Sequence, residues 1–589
     1  MAAKAKTKTK KSQNKTRVQQ HSATQLPHFP GWEASGIEFG DTGHQLRLLK
    51  RWGGKKSRVQ QSPVRWMVEL PANRSLEQKV DRWHETLLKK EDVEQVAGEI
   101  LAELQAIEPC ESIAETSIVL SACQAIRVIA GRCDYEAWQT AVSRILGMAE
   151  SAEATAESAP IVYQQLAIEA PLVLAFQIPE LENQAEIIST SCSRMARSIG
   201  QMLDHDGWPH ARYLQDFGAV VASWARCNAV INELATEQGL EFASQLEWVV
   251  RQILRMLRPD RTLVFSGSSQ CKATDEFLAC LLEMSIDSDD KRLLKTVLAE
   301  ANGKPVSSRV AAIEPSNLSE WSESAILQSR WASNSPKLAV DYSNGECWTE
   351  LARDIDLIRG NTAPQVTING VAMATDEPFE VACIESDDDV EYLELERELG
   401  KGVKLTRQFL LSRSEEFLLA ADLIVCDTAS RIDYRSSWPL ADKVEGMHES
   451  ETRELYLTSK KIHSLVLPLA LPEWKTGRSD DSLKFDDQAM TLVQSTDGLG
   501  LYAPLFFDLN PKRSKKKRTW RQLTVGERLE IVHRDEACAF RVQLDKFQWI
   551  FYRAISSVGN RTFIGENVSS EFAFSRFESD GTVTSLIEI

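Results

Sequence analysis

The sequence predicts a multidomain chain in which helical hairpins come first and a large antiparallel β domain follows. Three observations carry the prediction. The 589 residues are 43% apolar and 26% charged, a globular composition. One hydrophobic core stops growing at roughly 250–300 residues, so the chain divides. The apolar period is that of a helix in the first part and two in the second, which separates helices from strands instead of alternating them.

Residues 1–25 read as a basic disordered tail, with seven Lys and Arg and no acidic residue in the first 20. Residues 26–74 read as an extended arm that docks Phe29, Trp32, Phe39, Trp52 and Trp66. Residues 75–320 form the helical domain. Val93, Val96, Ile100, Leu104 and Ile107 step by three and four, as do Tyr135, Trp138, Val142 and Ile145. Phe217, Val220, Val221, Trp224 and Ile231 make a third stripe. A fourth runs from Phe242 through Leu246, Val249, Val250 and Ile253 to Leu257, where Arg-Pro-Asp turns the chain. Residues 321–589 form the β domain, with strands expected at 365–371, 404–411, 417–425, 432–438, 464–471, 499–509, 527–533, 537–544 and 548–552. The polar SRSEE stretch after Leu411 reads as a hairpin turn, and Gly498, Gly500 and Ala503 as a turn instead of a nucleotide loop.

Charge and motifs narrow the function. Residues 1–66 carry 14 basic and 3 acidic residues (net +11), which leaves a net of −28 for the remainder out of −17 overall. A basic tail on an acidic body suits contact with a polyanion through the tail and argues against nucleic acid as the main substrate. The basic run 512–518 reads as an exposed loop, and the acidic run 385–389 as a solvated connection. Walker A, HExxH, GxSxG and CxxC patterns are absent, so no cofactor is called for, while a structural divalent cation stays open. Eleven scattered cysteines, no apolar run long enough to span a bilayer and no export signal point to a cytoplasmic chain.

The chemically densest segment is LDHDGWPHARYLQDFGAVVASWARCN, residues 203–228. Pro209 suits the first turn of a helix, which places His210 and Tyr213 on one face at its entrance. A phenol beside a histidine can share proton transfer. The segment, with IVYQQLAIEAPLVLAFQIP at 161–179 and SRWASNSPKLAVDYSNG at 329–345, resembles the heparinase II/III family over most of residues 75–589. The resemblance implies an (α/α) toroid of helical hairpins followed by a β super-sandwich, and a polysaccharide lyase that removes the C5 proton of a uronic acid and expels the group at C4. Tyr213 would then be the proton shuttle, supported by His210. Arg212 or Arg226 would face the substrate carboxylate, Trp208 would stack on a sugar ring, and Asp206 and His205 would complete the substrate-binding set. The family sets its tyrosine in a Ser-Pro-x-Tyr-His-like context, whereas this chain reads His210-Ala-Arg-Tyr213-Leu. An acidic polysaccharide or oligosaccharide is the implied partner. The alternative is a non-catalytic binding or scaffold protein on the same fold, attached through its basic tail. His448 and His463 are the next candidates.

Overall fold

The computed structural model describes Val68–Glu69 and residues 74–301 and 313–589, apart from 90–91, 108–111, 130–132, 134, 180, 182, 235–242, 267–271, 286, 333, 477–479 and 579. The basic tail and nearly all of the aromatic arm lie outside these residues. By contacts the chain forms two compact units: the larger takes in residues 195–589, and the described part of the smaller runs from Leu76 to Arg194.

The apolar stripes form the expected helices, Val93–Ala106, Tyr135–Ser151, Phe217–Leu234 and Ala243–Met256. Inside the smaller unit the stripes bury Trp83, Ile100 and Trp138, and the Trp138 indole donates to the Ile126 carbonyl at 2.7 Å. The apolar run after Pro160 is helical but locally underwound, with a π segment, Gln164–Glu169, between Pro160–Tyr163 and Ala170–Gln177. No described helix is long and apolar enough to cross a membrane.

After the small pair Val68–Glu69 with Lys272–Ala273, the main run of strands is Asn317–Ser319, Ser324–Gln328, Lys337–Asp341, Trp348–Ala352 and Asp356–Asn361, a five-stranded antiparallel meander. An 11-stranded sheet follows, centred on Val403–Ser412, Phe417–Pro439 and Ala489–Asp508, and then a five-stranded sheet from Arg518–Leu523 to Val583–Glu588. The large sheet is covered on both faces. Leu418, Ala420 and Leu505 share one core with Leu338 and Leu351 of the meander, while Phe417, Leu419 and Phe506 share another with Trp549, Phe551 and Phe574. This is why its central strands read as unbroken apolar runs instead of a clean alternation. Each interlayer core holds one bidentate ion pair, Arg407 on Asp422 (2.8 Å twice) and Arg553 on Glu394 (2.8 and 2.9 Å).

The SRSEE hairpin forms as expected, with Leu411 opposite Leu418. Other expectations are corrected. The strand at 365–371 is a hairpin, Gln365–Ile368 with Val371–Met373, because Asn369 and Gly370 take positive φ (50° and 79°) and reverse the chain. The strand at 527–533 is likewise broken by a tight turn at Arg528 and Leu529 (φ 52° and 71°). Gly498 and Gly500 lie within a strand where the pairing with Phe417–Pro439 shifts register, so the local bend sits inside the ladder. The basic run is not wholly solvated: Arg513 is buried against Asp508, and Arg518 reaches Glu454 at 2.8 Å.

Candidate functional site

Residues 203–213 belong to the larger unit. Asp204 organises the turn, its Oδ1 accepting from the amides of Asp206 (2.9 Å) and Trp208 (2.8 Å) while its Oδ2 accepts from the Ser319 hydroxyl (2.9 Å). Pro209 pairs as an isolated bridge with Leu203, outside any helix. His210 caps a short 3-10 segment, Ala211–Asp216, and its Nδ1 accepts from the Arg212 amide at 3.3 Å. The expected α-helical entrance is thus a tighter turn, since the Leu203 bridge commits Pro209 to extended backbone.

His210 and Tyr213 are neighbours, their ring centroids 6.3 Å apart and edge-on. His210 also packs edge-on against Trp321 at 4.6 Å, and the Trp321 indole donates to the Met202 carbonyl at 3.2 Å. Burial, with the Arg212 charge, holds the imidazole below its usual range, and Glu323 opposes this in part. Trp208 is fully buried and donates to Asn317, so packing replaces the expected stacking on a sugar. Tyr213 is buried, with the Arg212 guanidinium 4.6 Å from its ring. Arg226 is buried and engaged within the protein, while His205 and Asp206 are exposed at the tip of the turn. Asp204, Trp208 and Ala211 fasten the turn after Met202 to the first β hairpin, through Ser319, Asn317 and Trp321. Gly207 makes the turn possible: its φ is +80°, and a Cβ there would lie 2.8 Å from the Trp248 backbone. Gly207→Ala is therefore expected to destabilise the larger unit by about 1–3 kcal/mol, read as a lower denaturation midpoint.

A roomier site lies elsewhere in the same unit. A cleft of about 660 Å³ is bordered by Asp260, Trp348, Asp354, Asp356, Arg359, Asp442 and Lys443. The hairpin of Trp348–Ala352 with Asp356–Asn361 supplies its centre, with Glu350 opposite Arg359 in register. The loop after Ala243–Met256 supplies one wall: Arg258 and Thr262 close it backbone to backbone at 2.8 Å, and Asp260 accepts from the Thr262 amide at 2.9 Å. Residues 440–443 supply the other, held by the Ala441 amide on the Leu357 carbonyl at 3.1 Å.

Glu350 is the hub beneath the cleft. It accepts from Arg258 Nε (2.9 Å), from the Trp348 indole (2.9 Å) and from the Phe265 amide (3.1 Å). Asp356 lies 3.7 Å from Arg258. Burial pushes the Asp356 carboxyl up, with Asp260 and Glu350 adding to it against Arg258 and Arg359. Burial would raise Asp354 as well, but hydrogen bonds from Lys461 and His463 outweigh it and hold that carboxyl below its usual range. His463 sits with Nδ1 3.0 Å from Asp354 and Nε2 3.1 Å from the Ser459 carbonyl. Among the described residues, no group of three or more His, Cys, Asp or Glu is placed to hold a metal ion.

Of these residues only His463 stood out in the sequence. The available signal was a polar set at even positions, Trp348, Glu350, Asp354 and Asp356, across a hairpin whose odd positions Leu351 and Leu357 are core.

No protein-family model matches the chain, and no curated protein matches it. Solved structures do. The chain is similar to heparinase III, the BT4657 gene product (TM-score 0.55, 9% identity, 81% of this chain and 83% of that one). It is similar to a second heparinase III structure (TM-score 0.55, 10% identity, 81% and 82%). It is also similar to a mutant of the heparan sulfate lyase HepC from Pedobacter heparinus (TM-score 0.52, 10% identity, 84% and 81%). The resemblance seen in the sequence therefore holds in the fold, and the chain has the architecture of the heparinase III structures, an (α/α) toroid of helical hairpins followed by an antiparallel β-sandwich.

Proposed function

We propose that the chain is a polysaccharide lyase-like protein that binds a glycan in the cleft around Trp348, and that residues 203–213 act as a fastening instead of an eliminating site. The observation that carries this reading is the cleft itself, about 660 Å³ with a half-buried indole among carboxylates and a guanidinium. An apolar ring face flanked by hydrogen-bonding groups suits a pyranose, which has one C–H face and a rim of hydroxyls. β-Elimination needs more: a base at the C5 proton and a group that neutralises the uronate carboxylate. Arg226 and Trp208 are sealed inside the protein, and Tyr213 is itself buried. One observation favours elimination: Tyr213 keeps its expected place beside His210, the ring centroids 6.3 Å apart.

Two measurements separate the readings. Titration calorimetry with a panel of hexasaccharides should give saturable binding that Trp348→Ala weakens. Incubation with heparin, heparan sulfate, chondroitin and alginate should leave the ultraviolet absorbance of unsaturated uronides flat. A rising absorbance that Tyr213→Phe abolishes would instead establish elimination at Tyr213.

A further inference from the structure

We infer that the cleft around Trp348 takes an uncharged saccharide and turns away polyanions, an inference that rests on the glycan-binding reading and adds its substrate class. Four carboxylates border the cleft, from Asp260, Asp354, Asp356 and Asp442, against the two cations Arg359 and Lys443, so the formal balance is two negative charges. Neighbouring cations that could offset this are already held. Arg258 is sealed against Glu350, and Lys461 pairs with Asp354 at 2.8 Å, so the carboxylates left to face a ligand are Asp260, Asp356 and Asp442 against Arg359 and Lys443, a balance of one negative charge. A sulfated or uronic chain entering here meets two cations, Lys443 at the rim and Arg359, against a larger number of carboxylates.

A unit charge brought close to a like charge is repelled in water, and several times more strongly in a partly dry cleft. An anion would also push the Asp356 carboxyl further in the direction burial already takes it. The field beyond the cleft has the same sign, because the chain after residue 66 carries a net charge of −28. An uncharged sugar meets the opposite situation. Carboxylates accept from its hydroxyl groups, Arg359 donates to them, and the Trp348 ring covers its C–H face without any charge to desolvate.

The test titrates the full chain and its Trp348→Ala variant with hexasaccharides of β-1,4-linked glucose, mannose and xylose, and with a heparan sulfate hexasaccharide, at low and high salt. The variant subtracts any polyanion bound through the basic residues of the tail. At least one uncharged hexasaccharide should bind about tenfold or more tighter than the Trp348-dependent part of heparan sulfate binding, with little change in salt. Heparan sulfate bound as tightly, and lost in Trp348→Ala, overturns the charge inference and leaves the cleft reading standing. Binding that Trp348→Ala does not weaken, or no binding by any of the four, overturns the cleft reading and this inference with it. Asp442 is exposed at the rim, so Asp442→Lys should fold and raise heparan sulfate affinity about threefold or more. An unchanged affinity would show that charge is not the cause of exclusion.

Discussion

Replacing Glu350 by alanine is expected to destabilise the chain by about 3–5 kcal/mol, the range for breaking a buried ion pair from one side. Glu350 and Arg258 are both almost wholly buried, and the carboxylate also holds the Trp348 indole and the Phe265 amide. The truncation leaves a guanidinium, an indole N–H and a backbone amide without their acceptor. The cost comes from stranding these groups and not from losing a strong attraction, because much of the pair's Coulomb energy is offset by desolvation. A double variant, Arg258→Met with Glu350→Leu, should therefore recover most of the loss. Denaturant unfolding of the two variants checks this. An Glu350→Ala midpoint close to that of the parent would mean that the hub carries no structural weight.

The second large effect is on binding. Trp348→Ala should weaken the uncharged hexasaccharide by about thirtyfold, equivalent to the roughly 2 kcal/mol of an aromatic anchor at an interface centre. Trp348→Phe keeps a ring in place and gives up the indole N–H, so it should lose far less. The contrast matters because the indole also bonds Glu350 at 2.9 Å. If stacking is the cause, Phe rescues binding; equal losses for Phe and Ala would assign the effect to the Glu350 contact. Circular dichroism of both variants guards against loss of fold.

Much of this architecture was legible in the residues. Steps of three and four placed the helices Val93–Ala106, Tyr135–Ser151 and Phe217–Leu234, because each buries one stripe of Val, Ile, Leu and Trp. The change to period two placed the strands on either side of the SRSEE turn, Leu411 opposite Leu418. Tight turns were missed where residues with a side chain adopt positive φ, as at Asn369 and Arg528. The segment around His210 drew notice for its density of functional groups, but Asp204 spends its carboxylate on backbone amides and Ser319, and Trp208 spends its indole on Asn317. Two of these partners, Ser319 and Asn317, lie more than a hundred residues away. The cleft was hidden for the same reason. Asp260, Trp348 and Asp442 converge only after the meander folds, and a chain read in order shows none of them as neighbours.

The most direct test is a crystal structure of the full chain with an uncharged hexasaccharide that binds in calorimetry. The account predicts one pyranose ring stacked on Trp348, with hydroxyls bonded to Asp356 and Arg359. A saccharide seated beside His210 and Tyr213, with the cleft around Trp348 empty, would contradict it.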